Sequence, residues 1–141
     1  MTGTQTRGER PMEEMVKILA TLPEPQREAM MASRMKLFAA AAEGERRKGM
    51  AGMVRAVHQL PDAERRTLIL TRTKVIANLP ADAQERIVRS RAAIAAELPE
   101  EIHRADLELT MEALARLPPD RQAALQASMI KAGFGSSPAK N

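Results

Sequence analysis

The chain has 141 residues, of which 44% are apolar, 28% charged and 1% aromatic, and it carries a net charge of +4. This length suits one domain, and the apolar share is too high and the net charge too low for a wholly disordered chain. The lack of cysteine excludes disulfides, thiolate metal sites and cysteine nucleophiles, and no apolar run approaches the roughly 20 residues that span a bilayer.

The first residues, Met1 to Glu9, have no apolar centre of the kind a secretory signal needs. They read as a flexible tail (1–9) ahead of one helical-repeat domain (10–133), followed by a second tail (134–141). With no signal and no span, a cytoplasmic location is the expectation. A regular beat then sets in. Leu-Pro occurs at Leu22-Pro23, Leu60-Pro61, Leu79-Pro80, Leu98-Pro99 and Leu117-Pro118, at intervals of 38, 19, 19 and 19 residues. The missing beat falls on Ala41-Ala42. Units of 19 residues therefore begin at Leu22, Ala41, Leu60, Leu79, Leu98 and Leu117, and a degenerate first unit runs from Gly3 to Thr21. A fixed period of this kind marks a repeat architecture.

Each unit reads as one helix. Proline suits the first helical position, because its missing N–H would have no partner there. Acids follow in the first turn, for example Glu24, Asp62, Asp82, Glu100 and Asp120, at the positive end of the helix dipole. Unit positions 10, 14 and 17 form an apolar stripe. In chain order it runs Met12-Val16-Leu19, Met31-Met35-Phe38, Met50-Val54-Val57, Ile69-Thr73-Ile76, Val88-Ala92-Ala95 and Leu107-Met111-Leu114. Spacings of four and three put such residues on one helix face. Positions 9 and 16 widen the stripe with Met30, Leu37, Leu68, Val75, Ile87 and Ile94, as a helix with neighbours on both sides requires. The last unit weakens to Gln126, Ile130 and Gly133.

About 14 helical residues make a rod of about 21 Å, and the short links that remain favour antiparallel neighbours. The expected fold is all-α: tandem 19-residue single-helix repeats, about seven short antiparallel helices, forming a small α-solenoid or a compact helical bundle. Two units have the length of the helix pairs that build solenoids, although the aromatic and glycine pattern of tetratricopeptide repeats is absent. A continuous second and third helix through Ala39–Ala42 stays open, because no proline interrupts it.

The polar pattern centres on arginine. Unit position 6 holds Arg27, Arg46, Arg65, Gln84, His103 and Gln122, and position 13 adds Arg34, Arg72 and Arg91. These positions flank the apolar arc. One reading is structural, with stems covering core and heads reaching acids or helix-end carbonyls. The other is a partner face, in which Arg27, Arg34, Arg65, Arg72 and Arg91 engage an acidic protein segment through their planar forks. Residues 22–78 hold a net +5, whereas the unit from Leu98 holds Glu100, Glu101, Asp106, Glu108 and Glu112. This asymmetry also suggests self-association. The expected function is thus a non-catalytic scaffold, adaptor or accessory subunit of a larger assembly. The alternative is sequence-independent binding of RNA or DNA phosphates by the basic region 44–74, through Arg46, Arg47, Lys48, Arg55, Arg65 and Arg66. Against it stands the shortage of aromatic rings for base stacking.

Other chemistry has little support in the sequence. His58 and His103 lie 45 residues apart, outside any zinc-ligand spacing. His58 is expected to meet helix-end carbonyls or solvent. The methionines occupy core positions and read as packing rather than a soft-metal site. Ser33, Ser90 and Ser128 recur at position 12 without a base and orienting acid beside them, and read as outer-face or helix-contact residues. No enzyme activity, cofactor, metal or small-molecule substrate is expected.

Overall fold

The computed structural model describes residues 9–134. They form α1 (Glu9–Thr21), α2 (Glu24–Ala40), α3 (Glu43–Val57), α4 (Asp62–Ala77), α5 (Ala81–Ala93), a 3₁₀ turn (Ile94–Glu97), α6 (Glu100–Leu114) and α7 (Pro119–Lys131), with no strand among the described residues. The first residues of α2 to α7 are Glu24, Glu43, Asp62, Ala81, Glu100 and Pro119, each 19 residues after the last. The alanine run breaks between α2 and α3: Ala41 and Ala42 take extended ψ values of 159° and 153°.

The Leu-Pro prolines sit one residue earlier than the sequence suggests. Pro23, Pro61, Pro80, Pro99 and Pro118 are N-caps, with helical φ near −55° but ψ of 139–156°. At this position the missing N–H costs nothing, while the proline carbonyl is free to accept the first helical bond. Arg27, Arg65, Gln84, His103 and Gln122 donate their backbone N–H to these carbonyls at 2.8–3.0 Å, and Arg46 does the same to Ala42. The preceding leucines Leu60, Leu79 and Leu98 turn inward and are buried.

Helices two apart in the chain pack most consistently: α1 on α3, α3 on α5, α5 on α7, and likewise α2 on α4 and α4 on α6. Cross-contacts such as α2 with α5 and α1 with α4 tie the two series together. The larger apolar core runs from Val16 and Leu19 through Met31, Met35 and Leu68 to Ile94 and Leu98. A smaller one gathers Ala77, Val88, Leu114, Leu125 and Met129 under α7. Gly49 takes an otherwise apolar stripe position because the Phe38 ring lies against it, where a Cβ would stand 2.6 Å from the ring edge.

The last described helix closes on a glycine turn. Gly133 has φ +108°, its N–H bonds Ile130 O at 3.0 Å, and Phe134 N–H bonds Met129 O at 2.8 Å. This Schellman closure uses glycine where other residues would be strained. It also turns Phe134 onto the smaller core beside Met129. Of the expected tails, 1–9 and 134–141, residues 1–8 and 135–141 lie outside the described residues.

Candidate functional site

The position-6 side chains form a repeated bonding pattern. Arg27 Nε donates to Thr71 Oγ1 at 2.9 Å and Nη1 to Leu22 O at 2.7 Å. Arg46 Nε donates to Ser90 Oγ at 2.7 Å and Nη1 to Ala41 O at 2.8 Å. Arg65 Nη2 reaches Leu60 O at 3.1 Å. The Arg27 and Arg46 heads thus span from the carbonyl opening their own unit to position 12 of the unit two further on. Gln84 and Ser128 keep the link with reversed roles, Ser128 Oγ donating to Gln84 Oε1 at 2.8 Å. The corresponding partner of Arg65 would be Leu109, which has no acceptor, and Arg65 Nε is buried without a hydrogen-bond partner among the described residues.

A second polar centre surrounds Asp106 on α6, whose side chain is 1% exposed. His58, at the end of α3, donates from Nε2 to Asp106 Oδ1 at 2.9 Å, since the ionised carboxylate only accepts. Arg72 of α4 holds both carboxylate oxygens, at 3.1 and 3.3 Å, and donates to Thr110 Oγ1 at 2.7 Å. Arg91 of α5 reaches Asp106 Oδ2 from Nη2 at 3.1 Å and His103 Nδ1 at 3.0 Å. A guanidinium has no acceptor, so His103 accepts on Nδ1. Burial alone would raise the Asp106 carboxyl; the charge of Arg72, the bond from His58 and the charge of Arg91 outweigh it and hold the group far below the usual carboxylate range. Burial, together with the Arg72 charge, lowers the Arg91 guanidinium against the opposing effect of Asp106. Burial and then the Arg91 charge lower the His103 imidazole. A cavity of about 70 Å³ adjoins the cluster, walled mainly by methionine, leucine, isoleucine and phenylalanine side chains.

Of the residues proposed from sequence as a partner face, Arg72 and Arg91 therefore meet on one buried acid. Arg27 binds a backbone carbonyl and a hydroxyl, Arg65 binds a backbone carbonyl, and Arg34 Nη2 lies 3.2 Å from Met15 Sδ. Among the basic residues proposed for nucleic acid, Arg46 is buried and Arg47 pairs with Glu43. Arg66 bonds Asp62 and Glu112 at 3.1 and 2.8 Å. Lys48 is exposed and Arg55 half-buried. The expectation that His58 meets carbonyls or solvent gives way to Asp106, because the end of α3 abuts α6 rather than water. Sequence reasoning also missed Asp106 as a centre. Its signal was an acid at position 9, where Leu68, Ile87 and Leu125 are apolar and buried.

A third feature is apolar and lies at the two ends of the helix series. Position 16 is at most 7% exposed at Ala56, Val75, Ile94 and Ala113, but 55% at Ile18 and 60% at Leu37. Position 14 is at most 4% exposed at Val16, Met35, Val54 and Thr73, but 46% at Met111 and 63% at Ile130. Met30 at position 9 is also exposed, unlike Leu68 and Ile87. The expected core roles of Met30, Leu37 and Met111 thus fail at the ends, where, among the described residues, no helix stands two before α1 or α2 and none two after α6 or α7.

Among the described residues, no cluster of three or more His, Asp or Glu side chains is arranged to hold a metal ion, and no helix is long and apolar enough to cross a membrane. No protein family, curated protein or solved structure matches the chain.

Proposed function

We propose that the protein is a non-catalytic helical-repeat scaffold or accessory subunit, built as a short α-solenoid that meets its partners through its open ends. The solenoid reading rests on the packing of each helix on the one two further along, and on the same position-6 to position-12 bond recurring in both series. The observation that carries the functional reading is the exposure of Ile18, Leu37, Met111 and Ile130 at unit positions that are buried in most of the other helices. Terminal repeats of a solenoid need a polar outer face to stay apart from other molecules, and here both outer faces are apolar. Arg27, Arg34, Arg65, Arg72 and Arg91 are poor candidates for gripping an acidic segment, because their heads already have internal partners.

Affinity capture of the tagged chain from its native cells tests this reading. A stoichiometric protein partner, either another chain or a second copy, should be recovered with the wild type and with Lys48→Glu. It should be lost with Leu37→Glu combined with Ile130→Glu. Recovery of nucleic acid instead, lost with Lys48→Glu and indifferent to the end substitutions, would overturn the proposal.

A further inference from the structure

We infer that a second copy of this chain docks head to tail on the first, with α1 and α2 of one copy laid against α6 and α7 of the other. This rests on the scaffold reading and goes beyond it by naming the occupant of the ends. The argument is one of register. Among the described helices with a helix two further on, position 14 is buried in α1 to α4 and half-buried in α5, and in those with a helix two back, position 16 is buried from Ala56 to Ala113 and half-buried at Ala132. The amino-terminal end exposes Ile18, Met30 and Leu37, which occupy positions 9 and 16. The carboxy-terminal end exposes Met111 and Ile130, which occupy position 14. The two open ends are therefore the two halves of an interface that the molecule already makes five times, between α1 and α3, α2 and α4, α3 and α5, α4 and α6, and α5 and α7.

Both helix series use the same bonds, Arg27 to Thr71 in one and Arg46 to Ser90 in the other. An added copy can thus continue the pattern with its α1 as an eighth helix and its α2 as a ninth. Met111 then covers Ile18, and Ile130 covers Met30 and Leu37. Charge agrees with this order. Within the chain, position-15 lysines bridge to acids two helices back: Lys74 to Glu24 and Glu28 at 3.2 and 2.7 Å, and Lys131 to Glu85 at 3.0 Å. Lys17 and Lys36 hold position 15 at the amino-terminal end and are exposed. Lys17 of α1 would face an α6 that carries Glu100, Glu101 and Glu108, with Glu100 at the same unit position as Glu24, whereas Lys36 of α2 would face α7, where that position holds Pro119. A patch that matches a different patch on the same molecule gives a heterologous contact, which closes into a ring or runs on as a filament.

The experiment is sedimentation velocity on the purified full chain, with Leu37→Glu blocking one end and Ile130→Glu the other. Both changes are on exposed helix surface, and circular dichroism checks that helicity is kept. The wild type should grow beyond a dimer as concentration rises, and less so at high salt. Each variant alone should lose self-affinity by about tenfold or more. An equimolar mixture of the two should form a dimer and stop there, because one intact pair of ends remains. A wild type that stays monomeric at every concentration would overturn the inference. So would dimerisation of either variant alone at wild-type affinity, which signals like-with-like contact, or a mixture that stays monomeric. Recovery of a different protein by the captured chain, with a monomeric wild type, would sink this inference and leave the scaffold reading standing.

Discussion

The middle and the ends of the helix series use the same residue pattern to opposite effect. In the middle, position-14 and position-16 side chains such as Val54, Thr73, Val75 and Ile94 are buried, and most of the buried polar groups find partners across helices. At the ends the same positions carry residues of the same kind, Leu37 and Ile130 among them, and these stand in water. Hydrophobic burial is non-directional and scales with the area removed from water, so a helix face is core only where another helix arrives to cover it. The deepest charge ties the middle to one end: Asp106 of α6 binds α3, α4 and α5 through a single carboxylate, whereas α7 is held by apolar contact, the Ser128–Gln84 bond and exposed ion pairs such as Lys131 with Glu85.

The largest effect should come from this buried carboxylate. Asp106→Leu leaves Arg72 and Arg91 facing each other without their shared counter-charge, and breaking a buried pair in this way costs about 3–5 kcal/mol. Urea unfolding would report it, and a loss below about 1 kcal/mol would mean the cluster is idle. Next comes the position-6 pattern. Ser90→Ala strands Arg46 Nε and should cost about 2 kcal/mol. Leu109→Ser, which gives Arg65 Nε the acceptor it lacks, should change stability by less than about 1 kcal/mol, because the new bond offsets the apolar area lost.

Acidification probes the same centre more gently. His103 is lowered from 6.5, so its contribution is complete above that value and declines as pH falls below it. Asp106 is lowered from 3.8, so its contribution holds above that value and is lost in stronger acid. Thermal unfolding should therefore show a shallow decline below pH 6.5 and a steep one below about 4, and His103→Gln should remove the shallow part. Smallest of all are the ends. Leu37→Ser or Ile130→Ser should shift the stability of the dilute chain by no more than about 0.5 kcal/mol, which sharpens the contrast with any buried stripe leucine.

Much of the fold was legible in the residues. The Leu-Pro pairs located α2 and α4 to α7, since proline before an acid and an apolar run leaves the chain few alternatives to starting a helix there, whereas the start of α3 at Glu43 has only the 19-residue count to mark it. The exact seat of the proline was not legible, because N-cap and first-turn positions both tolerate a missing N–H. The end exposures were hidden for a different reason. Periodicity tells which face of a helix is apolar, but not whether a neighbour stands opposite, and Met35 and Met111 look identical in register. The Asp106 centre depends on His58, 48 residues away in the chain, and on Arg72, 34 residues away. Only the misplaced acid at an apolar position announced it.

Because methionine occurs on both kinds of surface, it can report the central contrast in one experiment. Brief peroxide treatment of the dilute chain, with peptide mass spectrometry, should convert Met30 and Met111 to sulfoxides quickly while Met31, Met35, Met50 and Met53 lag well behind. At high concentration Met30 and Met111 should become protected as ends cover one another. Equal oxidation of Met31 and Met30, or protection of Met111 that ignores concentration, would contradict the account.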